Sequence, residues 1–269
     1  MPAPPRATPS RKRLALTARS HAFDGRIDAA RGDLADLRLA DRLFAPHYAA
    51  AVARTATIRT PILGTHGGGA VSELLQGEDF EVLEFSQGHA WGVGAVDGAV
   101  GFVLCDALGA PEGVTHIVCA SKAALPMGTR LTADRAAAFD SGAIRPLAAP
   151  IADFAALAET LIGTPSIDGG RSSAGVNCSG LVFLCLSLAG IRAPRFVDLQ
   201  AAQLGHVVGE DAPMLRGDLL FFADHVAIVA DGDSAIHVDA KGGAVTRESI
   251  ATIVDGGAFG PPIVRRRLP

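Results

Sequence analysis

From Leu181 to Leu188 the chain is apolar at every position except Ser187. A helix built from such a run has no face to give to water, so it must lie at the centre of a core. Gly190 closes it. The residues leading into the run, Gly175-Val176-Asn177-Cys178-Ser179-Gly180, therefore stand where a buried helix meets its surroundings. If Cys178 opens the helix, the free amides and the positive end of the first turn favour its thiolate. Cys185, enclosed by Leu184, Leu186 and Leu188, reads as packing.

Downstream the pattern changes to short strands at residues 217–222, 225–230 and 235–238, the last two joined by a turn within Asp231-Gly232-Asp233-Ser234. Two histidines fall in them, His225 and His237. A histidine in reach of Cys178 takes its proton, and a second histidine orients the first. A strand histidine is more often a satisfied structural residue than a base, and the pairing of two shifts that balance. Parity decides whether the pair can meet. A connection centred on Asp231 sets His225 opposite His237, whereas a tight two-residue turn sends them to opposite faces. The sequence permits the first without imposing it. The rival use of Cys178, His225 and His237 is a zinc site, but neither HExxH nor a CxxC pair accompanies them, so no metal and no cofactor is expected. The segment Gly170-Arg171-Ser172-Ser173-Ala174-Gly175 fits neither GxSxG nor a phosphate-binding loop.

Upstream, residues 1–13 read as a disordered tail, and Asp28 to Leu43, Ala/Leu-rich and charged, predicts a short helix. Residues 71–103 alternate through glycine-rich bends, with Asp97-Gly98 as a hairpin turn, which points to a small β-barrel. A weaker β region follows over 115–147. Apolar residues at 151, 154, 157, 158, 161 and 162 mark one face of a helix, stopped by Gly163-Thr164-Pro165. The expected division is a tail and helical arm over 1–54, small barrels over 55–110 and 111–150, and a helix-then-antiparallel-sheet domain over 151–269. The class is α+β.

At 269 residues the chain supports more than one core. A net charge of -4 gives no reason to expect a nucleic-acid partner, and the arginines at 11–13 and 265–267 read as solubilising. The apolar stretch at 14–18 is too short for a signal-peptide core, and no run approaches a membrane span, so a cytoplasmic protein without a membrane partner is expected. Four cysteines without CxxC pairing suit a reducing compartment. Nothing in the sequence sets the oligomeric state.

The motif set Gly163-Thr164-Pro165, Gly169-Gly170-Arg171-Ser172-Ser173, Cys178-Ser179-Gly180-Leu181-Val182, His225-Val226-Ala227-Ile228 and His237 resembles the NlpC/P60 cysteine peptidases. Glu73-Leu74-Leu75-Gln76-Gly77-Glu78 and Asp97-Gly98-Ala99-Val100-Gly101-Phe102 resemble the bacterial SH3-like modules joined to them. The whole is similar to γ-D-glutamyl-L-diamino acid endopeptidases. The resemblance implies a papain-like catalytic domain, with Cys178 as nucleophile, His225 as base and His237 as the orienting residue. It implies a small cell-wall-derived peptide as substrate, cleaved through a thioester. It also implies Glu73 as a partner of the substrate's free amine; Ser179 is a further candidate substrate contact, and Asp168 and Asp198 are candidate substitutes for the family carboxylate that this sequence lacks. This sequence departs from the pattern at Ala99, Ser166, Asp168, Phe196 and Asn177, where the family has tyrosine, aromatic or acidic residues; altered specificity follows. A non-catalytic peptide-binding module and an acyltransferase using the same thiol are the alternatives.

Overall fold

The computed structural model describes residues 22–269 apart from 210, 240 and 257. The expectations for residues 1–21 lie outside the described residues. The apolar run becomes the Cys178–Leu188 helix, buried from Ser179 to Leu186 and again at Leu188. Asn177 caps it, its side chain accepting from the Gly180 amide at 2.8 Å. The far end closes on a left-handed Gly190 (φ 72°). There the Gly190 amide donates to Ser187 O and the Ile191 amide to Leu186 O, which satisfies two of the last carbonyls.

This helix is packed between two elements. One is the Phe154–Thr160 helix, which contributes Leu157 and Ala158 and is capped by Asp153. The other is a six-stranded antiparallel sheet. Its strands run in the order His206–Val207, Val264–Arg267, Leu219–Phe221, Val226–Val229, Ser234–Asp239 and Ala244–Ser249. Leu219, Phe221, Val226, Ile228, Ile236 and Val238 face the buried helix. Leu220, Phe222, Ala227, Val229 and Ala235 line the other face, under Ile253 of the Ile250–Asp255 helix. Both faces are covered, which is why these strands read as continuous apolar runs.

The hairpin register settles the parity question. Ile228 pairs with Ile236 and Val229 with Ala235, so the connection is odd and centred on Gly232 rather than Asp231. His225 and His237 therefore share a face but stand diagonally, not directly opposite.

The N-terminal half is built on a seven-stranded sheet. Its order is Ala70–Leu74, Thr60–Leu63, Val100–Leu104, His89–Gly94, Asp79–Ser86, Val52–Ala56 and Leu108–Gly109. Asp97-Gly98 lies in the turn between His89–Gly94 and Val100–Leu104. Its two outer strands do not pair with each other, and residues 114–146 form a three-stranded sheet, so neither region is a closed barrel by strand pairing among the described residues. The helix predicted over Asp28–Leu43 is absent. The segment instead carries the Leu34–Asp36 strand, a 3-10 turn at Leu37–Leu39 and, beyond it, the His47–Ala49 strand. Its arginines reach across to the large sheet, Arg31 to Glu84 and Arg38 to Glu81, and these pairings replace the i,i+4 pairs a helix would make. Among the described residues no helix is long and apolar enough to cross a membrane.

Candidate active site

Cys178 is the first residue of the buried helix and is half-buried. Its Sγ lies 3.8 Å from the carbonyl oxygen of Asp224, and the Val226 amide also acts on it. The sulfur thus sits against the backbone on both sides of His225, at the head of the Val226–Val229 strand. The His225 ring is buried and stacks face to face on Phe259, with centroids 3.8 Å apart and planes within 7°. Its Nε2 lies 3.1 Å from His237 Nδ1. His237, almost fully buried, has its Nε2 3.3 Å from Glu248 Oε2.

Burial pushes the Cys178 thiol up, and the amides of Val226 and Ser179 and the charge of Arg195 only partly oppose it. The thiolate favoured on helix-terminus grounds is therefore not the resting form: desolvation outweighs the neighbouring amides and Arg195 here. Burial, and then the neighbouring His237, push His225 down to about 3. Burial also lowers His237, against the pull of Glu248. At neutral pH Cys178 is a thiol, and His225 and His237 are neutral imidazoles.

Ser179 does not face solvent. Its Oγ accepts from Arg195 Nη1 at 2.9 Å. Arg195 is almost wholly buried, donates from Nε to Ser72 Oγ at 2.9 Å and from Nη2 to Gly169 O at 2.8 Å, and is pushed down by burial to about 10, which leaves it charged at neutral pH. Arg171, equally buried, donates to Asp97 Oδ2 at 3.0 Å and forms a two-pronged pair with Glu78. Asp97 also accepts from Ser72 Oγ at 2.5 Å. Two arginines of the helix-bearing half are thus locked to Ser72, Glu78 and Asp97 of the seven-stranded sheet and its turns.

Glu73 belongs to the same junction. One carboxylate oxygen accepts from the Arg171 amide at 2.7 Å, and the other is 3.1 Å from Arg59 Nη1. Glu73 and Asp168 line one cavity of about 150 Å³, together with Arg59, Ser72, Ile167 and Gly170. Asp168 is exposed there and makes no hydrogen bond or ion pair among the described residues. Asp198 is drawn elsewhere: both its oxygens pair with Arg26, at 2.9 and 2.6 Å, and that guanidinium also lies over the Phe196 ring. Ala99 is fully enclosed in the N-terminal core and Phe196 packs against that core. Among the described residues no group of three or more His, Cys, Asp or Glu is placed to hold a metal ion.

The structure thus brings Cys178 to the backbone around His225, joins His225 to His237, and places Glu73 with Asp168. It leaves Asp198 engaged with Arg26 and Ser179 with Arg195. Arg171, Arg195, Glu248 and Phe259 join the site through contacts that the sequence does not announce. The first stands in a quoted motif, but its partners lie far away in sequence, and no local pattern marks Glu248 or Phe259.

Residues 163–254 match the NlpC/P60 family and form an NlpC/P60 domain. A probable endopeptidase of Haemophilus influenzae is 37% identical over 91 residues, covering 31% of this chain. The chain spans about half, 55%, of that relative's length. The crystal structure of an NlpC/P60 family protein from Bacillus cereus superposes with a TM-score of 0.68 at 16% identity, over 81% of this chain and 100% of that one. The shared fold therefore includes most of the N-terminal sheets. The peptidoglycan hydrolase RipB of Mycobacterium tuberculosis is 26% identical over 41% of this chain and 60% of its own, with a TM-score of 0.35.

Proposed function

We propose, with the NlpC/P60 domain as premise, that this protein is a cysteine peptidase that hydrolyses the γ-D-glutamyl-diamino acid amide bond of small peptidoglycan-derived peptides. The observation that supports this most directly is the placement of a helix-opening Cys178 against the backbone that carries His225, with His237 hydrogen-bonded behind it.

The chemistry follows from the neutral resting pair. Cys178 gives its proton to His225 as Sγ bonds to the carbonyl carbon. The amides at the start of the helix, which have no intrahelical partner, face the developing oxyanion. The imidazolium returns its proton to the leaving nitrogen as the C–N bond breaks, which leaves a thioester. Water then loses a proton to His225 and cleaves the thioester, which restores the thiol. His237 holds the His225 ring throughout. The small cavity between Glu73 and Asp168 would take the peptide's ammonium. With Glu73 shared between Arg59 and the Arg171 amide, Asp168 supplies the carboxylate without a partner.

The test is to incubate L-Ala-γ-D-Glu-diaminopimelate with the full chain and with Cys178→Ala, and to follow products by liquid chromatography and mass spectrometry. The wild type should release the diamino acid and the variant should not. Asp168→Asn should slow the free-amine peptide more than its N-acetylated form. Intact peptide across a broad pH range, with a folded enzyme, would remove the substrate assignment; equal effects of Asp168→Asn on both peptides would remove its amine role.

A further inference from the structure

We propose that Glu248 is a positioning residue of this site, fixing the tautomers of both histidines so that His225 Nδ1 is the bare nitrogen that receives the Cys178 proton. The transfer of the Cys178 proton to that nitrogen rests on the cysteine-peptidase reading; the tautomers rest on the contacts along the His225–His237–Glu248 line. His237 pairs with Thr246 across the sheet, so Glu248 stands one diagonal step further along the same face. His225, His237 and Glu248 thus form a slanting line over three adjacent strands, linked by contacts of 3.1 and 3.3 Å.

The donor count fixes every proton on that line. An ionised carboxylate only accepts, so His237 Nε2 carries its hydrogen toward Glu248. Neutral His237 then has a bare Nδ1, which accepts. The facing His225 Nε2 must therefore be the protonated nitrogen of its ring, and Nδ1 is left free. Turning one ring over would set two donors or two acceptors face to face. When His225 takes the thiol proton, the same line becomes charge-assisted, with the carboxylate at its far end compensating the new cation. Phe259, stacked on His225, holds that ring's plane. Other charged groups near the line are Asp239 and Lys241, which share with His237 and Glu248 a cavity of about 330 Å³, and Arg195 beside Cys178. Water entering that cavity could touch His237 Nε2, but water both donates and accepts and so selects no tautomer.

The experiment uses the full chain with ¹⁵N-labelled histidine. Long-range ¹H–¹⁵N correlation at neutral pH reports which ring nitrogen bears hydrogen, independently of turnover. Wild type should show Nε2–H and bare Nδ1 for both His225 and His237. Glu248→Ala should lose the fixed tautomer at His237 and shift the His225 Nδ1 signal. Glu248→Gln, whose amide oxygen still accepts, should keep the wild-type pattern. In peptide hydrolysis, Glu248→Ala should lower kcat roughly ten- to a hundred-fold, as loss of an orienting partner does elsewhere. KM should hardly change, and Glu248→Gln should recover most of the rate. An Nδ1–H tautomer for wild-type His225, or unchanged tautomers and kcat in Glu248→Ala, would overturn the inference. If no peptide is cleaved by any form, the nuclear resonance result still decides the role of Glu248, and only the peptidase reading falls.

Discussion

Two pulls act on the Cys178 sulfur, and their balance sets how the residue behaves. Desolvation raises its pKa, while the Val226 and Ser179 amides and Arg195 lower it by less. His225 is meanwhile held down near 3. A raised thiol and a lowered imidazole both favour the uncharged pair, so the site does not rest as thiolate and imidazolium. The sign for reactivity follows. Alkylation needs thiolate, and a raised pKa shrinks the thiolate fraction at neutral pH and moves the gain to higher pH. The rate of iodoacetamide labelling at Cys178, followed by peptide mass mapping, should keep climbing well past neutrality. Cys185, fully buried with its thiol pushed far up, should stay unlabelled in the folded chain. A labelling rate at Cys178 that levels off on the acidic side of neutrality would reveal an ion pair and refute this balance.

At the scale of elements, the nucleophile helix is seated by one close approach. A Cβ built on Gly180 would meet the Gly170 carbonyl oxygen at 2.0 Å and Asn177 Oδ1 at 2.8 Å. That carbonyl accepts from the Asn177 amide, so it is fixed to the cap it presses on. Gly180→Ala should therefore cost about 1–3 kcal/mol or more in urea denaturation, the range for overpacking a tight site. Gly113→Ala, with nothing within 4 Å of its Cβ, is the control and should stay near wild type. Equal stabilities for the two variants would mean the helix can move off Gly170 freely. The seat itself was legible in sequence: an apolar run with a polar, glycine-flanked start has few other solutions. So were the two histidine strands, because both flank one short turn. The 28–43 segment misled because its Ala, Leu and charged residues suit a helix locally, and tertiary ion pairs to Glu81 and Glu84 override that preference. Glu248 was invisible for another reason. Its place beside His237 is set by the register between two strands, and register is a property of pairing, not of either segment's composition.

At the scale of the whole molecule, the junction between the seven-stranded sheet and the helix-bearing half is electrostatic. Arg171 and Arg195 bring two charges into a buried seam, and Glu78, Asp97 and Glu73 answer them, with Arg59 balancing the third carboxylate at the edge. A buried set of this kind is weak evidence for net stability, since desolvation offsets much of the attraction, but removing one member leaves the rest uncompensated. Ser72 carries the coupling onward, because it accepts from Arg195, which in turn holds the hydroxyl next to Cys178. Arg171→Met should cost about 3–5 kcal/mol, as loss of one partner from a buried pair does. Replacing Glu78 as well, in Arg171→Met/Glu78→Met, should restore part of that loss. The chain supplies its own probe of the seam, since its single tryptophan, Trp91, is buried in the N-terminal sheet. In wild type the Trp91 fluorescence transition and the far-ultraviolet dichroism transition should coincide in denaturant, as for one cooperative unit. In Arg171→Met they should separate, because the sheet and the helix-bearing half no longer share the cost of exposing the seam. Transitions already apart in wild type, or still coincident and unshifted in the variant, would show that the charged junction does not bind the two halves into one folding unit.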